Sequence, residues 1–328
     1  MKAQRLLTVA SILTVGSLAL TACVNNSATS ASSSPAAPAA SSAAAAGSSA
    51  AASTAASTAA SAAASGASAA ASAGADPKSL VPPDIASAGK IVIGTDATYP
   101  PNEYKDPDGN PIGWEIELAD AMAAKLGLKT EYVLAKFDNI LPGLIGGKYQ
   151  AGLSSFFDTK EREKQVDMVN YYTAGIEWAA KAGNNIDPNN ACGKTLAVQN
   201  GTTEALDDAP AKSKACTDAG KPEINILGYD TQDEATAAVL LGRADALSAD
   251  SPVTEYAVKQ SNGKLQTVGD VYDVFLYGIP VQKGSSLGPA MQAALKQLQA
   301  DGTYASILSK WGVDGGSIND MTINGAQS

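Results

Sequence analysis

Lys90-Ile-Val-Ile-Gly-Thr-Asp-Ala-Thr-Tyr-Pro-Pro101 begins as an apolar run and ends in a polar loop. The run Lys90–Gly94 reads as a buried strand, because unbroken Ile and Val suit a sheet covered on both faces. Working outward, Trp114–Leu126 carries Leu118, Met122 and Leu126 at helical spacing and stops at Gly127. Thr130–Leu134 (strand), Asn139–Ile145 (helix) and Tyr149–Leu153 (strand) complete a first alternating run. A second run follows: strand Thr195–Gln199, helix Thr203–Ala215, strand Ile224–Leu227, helix Thr231–Leu241, strand Ala246–Ala249 and helix Pro252–Gln260. Thr231 and Glu234 form a capping-box signature. Strand Tyr277–Val281 and helix Pro289–Ala300 close the pattern. Alternating strands and helices imply parallel sheets with helices on both faces. Two such runs, parted by the polar stretch 181–190, imply two α/β lobes.

The start of the chain is of another kind. Lys2 and Arg5 precede an apolar stretch from Leu6 to Leu20, and Leu20-Thr-Ala-Cys23 follows. This is a secretion signal, too short to serve as a permanent membrane helix. Residues 1–22 are thus expected to be a signal peptide, and 23–85 an Ala/Ser-rich, disordered tether with too few large apolar side chains to build a core. As a flexible coil the tether would reach about 40 Å. The formal charge is −10 and becomes more negative once Lys2 and Arg5 are removed, which argues against nucleic acid or an anionic membrane face as partner. Histidine is absent, which makes metalloenzyme and Ser-His-Asp hydrolase chemistry improbable; no metal and no cofactor are expected.

Of the three cysteines, Cys192 and Cys216 are left as a pair if Cys23 carries a lipid. One opens the strand at Thr195 and the other closes the helix that follows, so both ends return to the same sheet edge. A disulfide there would stabilise by about 3 kcal/mol.

Ligands of open α/β sheets bind beyond the carboxyl ends of strands. Four polar clusters fall at such ends: Thr95–Tyr99, Ser154-Ser155 with Arg162 beyond, Asn200–Thr203, and Asp250-Ser251. Their chemistry complements a zwitterion. Arg162 offers a planar fork for a carboxylate, and Gly201, Thr202 and Thr203 offer N–H groups at a helix start for the same anion. Asp250 suits an ammonium group. Asp96 suits a polar or cationic side chain between the flat walls of Tyr99 and Phe137. Each also has a plain structural role open to it. Arg162 lies in the solvated-face pattern Lys160-Glu-Arg-Glu-Lys164, Thr202 and Thr203 suit helix caps, and Asp250 suits a helix start. Asp96 suits an Asx-turn, Tyr99 and Phe137 suit the core, and Glu115 and Glu117 are expected as helix-start charges.

Taken in order, these stretches resemble the solute-binding proteins of ABC importers for polar amino acids. The resemblance rests on Ile93-Gly-Thr-Asp-Ala-Thr-Tyr-Pro-Pro101, Gly113-Trp-Glu-Ile-Glu-Leu118, Phe137-Asp138 with Leu141-Pro142, and Ser154-Ser155 with Thr159-Lys-Glu-Arg162. It continues through Val198-Gln-Asn-Gly-Thr-Thr203, Gly242-Arg-Ala-Asp-Ala246, Asp250-Ser-Pro252 and Tyr277-Gly-Ile279. Leu20-Thr-Ala-Cys23 likewise resembles the lipobox of bacterial lipoproteins, in which the Cys is the lipidated first residue. The resemblance implies an α/β fold of type II periplasmic-binding-protein form: residues 86–181 with 278–320 as one lobe, 182–277 as the other. Two parallel-rich sheets would be hinged by strands near Ala180–Gly183 and Tyr272–Gly278. It further implies that Arg162 binds a carboxylate with help from Ser155 and the Gly201–Thr203 loop, that Asp250 accepts the α-ammonium group, and that Asp96, Tyr99 and Phe137 surround the side chain. Ser154 and Phe157 complete that set.

The implied function is capture of an extracellular amino acid, with a basic or amide side chain favoured, by clamshell closure, and delivery to an ABC permease. A monomer held outside the cytoplasmic membrane only by its lipid is expected. A dehydratase-like lyase or an envelope sensor on the same fold are the alternatives. Three departures from the family pattern stand out. Phe157 replaces a ligand-facing hydroxyl and is expected to shrink the pocket or select a different ligand. Trp114 replaces a Phe, as a packing change, and Asn102 replaces a common Phe and is expected to alter the pocket rim.

Overall fold

Two long strands organise the protein. The computed structural model describes residues 76–327, and the expected signal peptide, Cys23 and most of the tether lie outside them. After a short helix α1 (Pro83–Ala88), β1 (Lys90–Thr95) runs parallel to β5 (Lys129–Leu134) and to β6 (Ala151–Gly152). A small antiparallel sheet of β2 (Thr98–Tyr99), β3 (Glu103–Lys105) and β4 (Pro111–Ile112) interrupts this unit. Helices α2 (Trp114–Leu126), α3 (Phe137–Ile145) and α4 (Lys160–Glu163) connect it. Helix α2 buries Leu118, Met122 and Leu126, and Gly127 ends it in the left-handed region with φ +72°.

The second half contains β8 (Thr195–Gln199), β9 (Asn225–Tyr229) and β10 (Ala246–Asp250), joined by α5 (Ala209–Asp218), α6 (Gln232–Leu240) and α7 (Ser251–Gln260). Thr231 caps α6 by accepting the Glu234 N–H. Cys192 and Cys216 are joined by a disulfide with their Cα atoms 5.5 Å apart. The remaining helices, α8 (Leu287–Ala300) and α9 (Thr303–Trp311), pack with α2 on the first half. No helix among the described residues is long and apolar enough to cross a membrane.

Between the halves run β7 (Val166–Lys181) and β11 (Leu265–Gln282), antiparallel along their length. They join the two expected sheets into one mixed ladder of order β5-β1-β6-β11-β7-β10-β8-β9. β11 meets the first half at Val281–Ala151, and β7 meets the second through Ile176–Ala180 against β10. Ala180 therefore lies inside the second half rather than at the crossing, which falls nearer Thr173–Ile176. The register of the pair shifts around Tyr272 and again at Tyr277, where β11 passes between the halves.

Two expectations change for physical reasons. The strand expected over Tyr149–Leu153 shrinks to Ala151–Gly152, because the chain turns away at Ser155 with φ +52°. The strand expected at Tyr277–Val281 is the end of an 18-residue one. β7 shows no alternating pattern because nearly all of its residues are buried, so its two faces read alike.

Candidate functional site

The carboxyl ends of β1, β6, β8 and β10 converge on one cavity. Asp96, Tyr99, Phe137, Ser154, Ser155, Phe157, Arg162, Thr202, Thr203 and Asp250 all line it. Of the residues expected at the site, Gly201 alone stays out of that lining. Gln199 and Glu204, absent from the expectation, join it.

Asp96 ends β1. Its carboxylate accepts the Phe137 N–H at 2.9 Å, the Thr98 hydroxyl, and the Gln199 amide at 3.2 Å from the opposite half. The Asx-turn and a cavity-facing role therefore coexist in one side chain. Burial pushes its carboxyl up to about 6 against these bonds.

Ser154 and Ser155 rest on a buried carboxyl pair. Ser154 Oγ lies 2.8 Å from Glu103 Oε1, and Ser155 Oγ lies 2.9 Å from Glu115 and 3.2 Å from Glu103. Glu115, expected as a helix-start charge, is fully buried and also accepts the Tyr171 hydroxyl at 2.5 Å. Burial and the neighbouring Glu115 push Glu103 far above the usual carboxylate range. Asn102 is fully buried beneath Ser155, to which its amide donates at 2.8 Å, and is no part of the rim. Its carbonyl takes the Trp114 indole N–H at 2.6 Å, so both departures from the family pattern belong to one polar contact under the floor. Gly113 lets the two backbones pass closely beside this contact: at φ +136°, a Cβ there would sit 2.0 Å from the Asn102 backbone carbonyl oxygen.

Arg162 sits in the one-turn helix α4, half-buried, with Thr159 capping the turn. Its Nη1 donates to the Phe157 carbonyl at 2.7 Å and its Nη2 to the Gly201 carbonyl across the cleft at 3.3 Å. The guanidinium lies 5.3 Å from the Phe156 ring centre and 5.8 Å from that of Phe137. Burial lowers its pKa, opposed by the charges of Glu204 and Asp250. Gly201 thus offers Arg162 a carbonyl, and it packs so tightly on Asp138 that a Cβ would come within 2.9 Å. Thr202 serves its own helix start, with Oγ1 donating to Gln199 O and accepting Ala205 N–H.

Asp250 ends β10 and is held by the Tyr277 hydroxyl at 2.5 Å, while its N–H reaches the Tyr99 oxygen at 3.1 Å. Facing it is Glu204, first residue of a π-helical turn (Glu204–Asp208), with one carboxylate oxygen lacking any protein partner. Burial and the Glu204 charge push Asp250 well above the usual range. Phe157 is buried against Phe275 and Tyr277, at ring distances of 4.8 and 5.5 Å, and forms a flat wall where the family pattern has a hydroxyl. Asp158 turns the other way, its carboxylate bound by Asn170 at 2.8 Å, and is not among the lining residues.

The cavity thus offers one cation, Arg162, and three carboxyls, Asp96, Glu204 and Asp250. Glu204 escaped sequence reading because its neighbours Thr202 and Thr203 already explained the helix start. Gln199 looked like an ordinary strand end.

The chain is similar to the arginine-binding protein ArgT of Corynebacterium glutamicum, 39% identical over 75% of this chain and 82% of that protein. Among solved structures, an ancestral arginine-binding protein bound to arginine aligns with TM-score 0.63 and 36% identity, covering 68% of this chain and 98% of the other. An ancestral amino acid-binding protein described as a precursor of cyclohexadienyl dehydratase aligns at 0.61 and 34%, over 70% and 97%. All three are named for binding rather than for catalysis. Residues 91–314 match the bacterial extracellular solute-binding proteins, family 3, and the chain belongs to that family.

Proposed function

We propose that the protein captures a basic L-amino acid of the arginine class outside the cell and passes it to an ABC permease. The observation that carries this reading is the charge count of the cavity, one guanidinium against three carboxyls. A ligand with one carboxylate and two cationic groups carries a net positive charge, which offsets part of this negative excess and gives each charge an opposite partner. In this reading Arg162 takes the carboxylate, with Ser155 and Thr203 beside it, and Asp250 with Glu204 takes the α-ammonium group. Asp96 takes the side-chain cation, sandwiched between Tyr99 and Phe137. The arginine-binding names of the relatives support the same ligand class. Phe157 then acts as a wall that narrows the cavity beside the α-groups.

Closure follows from the ladder. β7 and β11 cross between the halves near Thr173–Ile176 and Tyr272–Leu276, and bending there would open the cleft between the two lobes. Gln199 to Asp96, Arg162 to Gly201, and the Lys136–Asp230 ion pair span the closed cleft. Lipid on Cys23 and the tether would hold the monomer near its permease, which palmitate labelling lost in Cys23→Ala would test.

Calorimetric titration of arginine, lysine, glutamine and glutamate tests the ligand class. Arginine is expected tightest and glutamate weakest. Tightest binding of glutamate would overturn the assignment.

A further inference from the structure

The segment Met321–Ala326 lies against the first five residues of β7, along the edge that β10 leaves uncovered. Ile323 bridges Val169, and the Asn170 N–H donates to the Thr322 carbonyl at 2.9 Å. Asn324 is held at φ +58° by bonds in both directions with Met168 and a third to Asp167. From this anchored segment two connections lead to the loop that carries Arg162.

The first passes through Asn170, which is fully buried. Its carbonyl accepts the Thr322 hydroxyl at 2.7 Å and the Gly325 N–H at 3.0 Å, and its amide donates to Asp158 at 2.8 Å. Asp158 adjoins Phe157, whose carbonyl holds Arg162 Nη1. The second is direct: the Ala326 N–H donates to Glu163, the residue after Arg162, at 2.9 Å. The loop itself contains only the four-residue helix α4, so its geometry depends on outside contacts. A guanidinium recognises a carboxylate through a planar fork, and misplacement by an ångström forfeits much of that gain.

We propose that Met321–Ala326 is a brace that aims the Arg162 guanidinium, so that a segment outside the cavity lining sets carboxylate recognition. The proposal rests on the reading of Arg162 as the carboxylate partner. Thr322, Asn324 and Glu163 are then positioning residues. The test compares arginine with agmatine, which keeps the guanidinium and an amine but lacks the carboxylate, by calorimetry on the full chain. The wild type should prefer arginine. In the Thr322→Val/Asn324→Ala double variant arginine affinity should fall about tenfold with agmatine affinity unchanged. Equal losses for both ligands, or none, would show a merely structural segment and overturn the brace. A wild type with no preference for arginine would instead overturn the carboxylate role of Arg162, and the brace with it. Should the double variant fail to fold, Glu163→Ala removes the Ala326 connection together with the Lys160 ion pair and carries the same expectation, and Lys160→Ala, which removes the ion pair alone, should leave the preference for arginine unchanged.

Discussion

The two sides of the cleft are built on different principles. On the first half, Ser154 and Ser155 stand on Glu103, Glu115, Asn102 and Tyr171, and Asp96 is held by two nearby donors of its own half. On the second half, Glu204 and Asp250 face each other with no cation between them, and one Glu204 oxygen has no partner at all. Buried polar groups with partners hold a shape; buried carboxyls without them hold an unmet demand for charge. The first half is a preformed floor, and the second half is a wall that a ligand cation completes.

The largest test of this contrast is Arg162→Ala. It removes the cation that balances Glu204, Asp250 and a ligand carboxylate together, and arginine binding should weaken by about 2–5 kcal/mol, with the fold retained by circular dichroism. Unchanged affinity would break the comparison at its centre. Asp96→Asn comes next. Losing a charged partner should cost arginine about 1.5–3 kcal/mol while glutamine loses little, read as a ratio of dissociation constants.

The pH dependence follows from the same carboxyl. Burial raises Asp96 from 3.8 to about 6, so the folded protein binds its proton more tightly than the unfolded chain does. Its ionisation therefore subtracts stability above about pH 6, and that cost disappears as the pH falls below about 4. A cation beside the carboxylate offsets the cost, so arginine affinity should fall by up to about tenfold per pH unit below about pH 6. Calorimetry between pH 7 and 5, repeated on Asp96→Asn, should show a shallower slope in the variant.

Glu204→Gln separates the wall from the floor. It should raise the melting temperature of the ligand-free protein at neutral pH, because one of two facing carboxyls is gone, and weaken arginine at the same time. A drop in both would mean that Glu204 is structural. The smallest effect belongs to Glu103→Gln. Gln mimics a protonated Glu, so stability should change by less than about 1 kcal/mol, whereas Glu103→Ala strips Ser154 of its acceptor and should cost about 1–3 kcal/mol by chemical denaturation.

Local patterns were enough for the elements near the cavity. The β8 and α2 boundaries agree with the sequence reading, because strand runs followed by polar loops and a helix closed by Gly127 are set by neighbours a few residues apart. The core strand pair was far less legible. β7 and β11 are defined by each other, over pairings such as Leu265 to Lys181, and such distant partners leave no local signature. The same divide runs through the site. Asp96, Arg162 and Asp250 were visible as polar residues at strand ends or in a charge run. Glu115 read as a helix-start charge and Glu103 drew no reading, since only packing by α2 and the small sheet removes them from water.

Sequence alone determined the lobed α/β class, the strand-end clusters and the pairing of Cys192 with Cys216, because periodicity, punctuation and residue type act over short range. Tertiary structure decided the rest. It chose the crossing point of the halves, turned Asp158 away toward Asn170, and placed Glu204 beside Asp250. Those outcomes depend on burial and on charges brought together from distant parts of the chain, and the strength of such interactions is set by the dielectric of the folded interior.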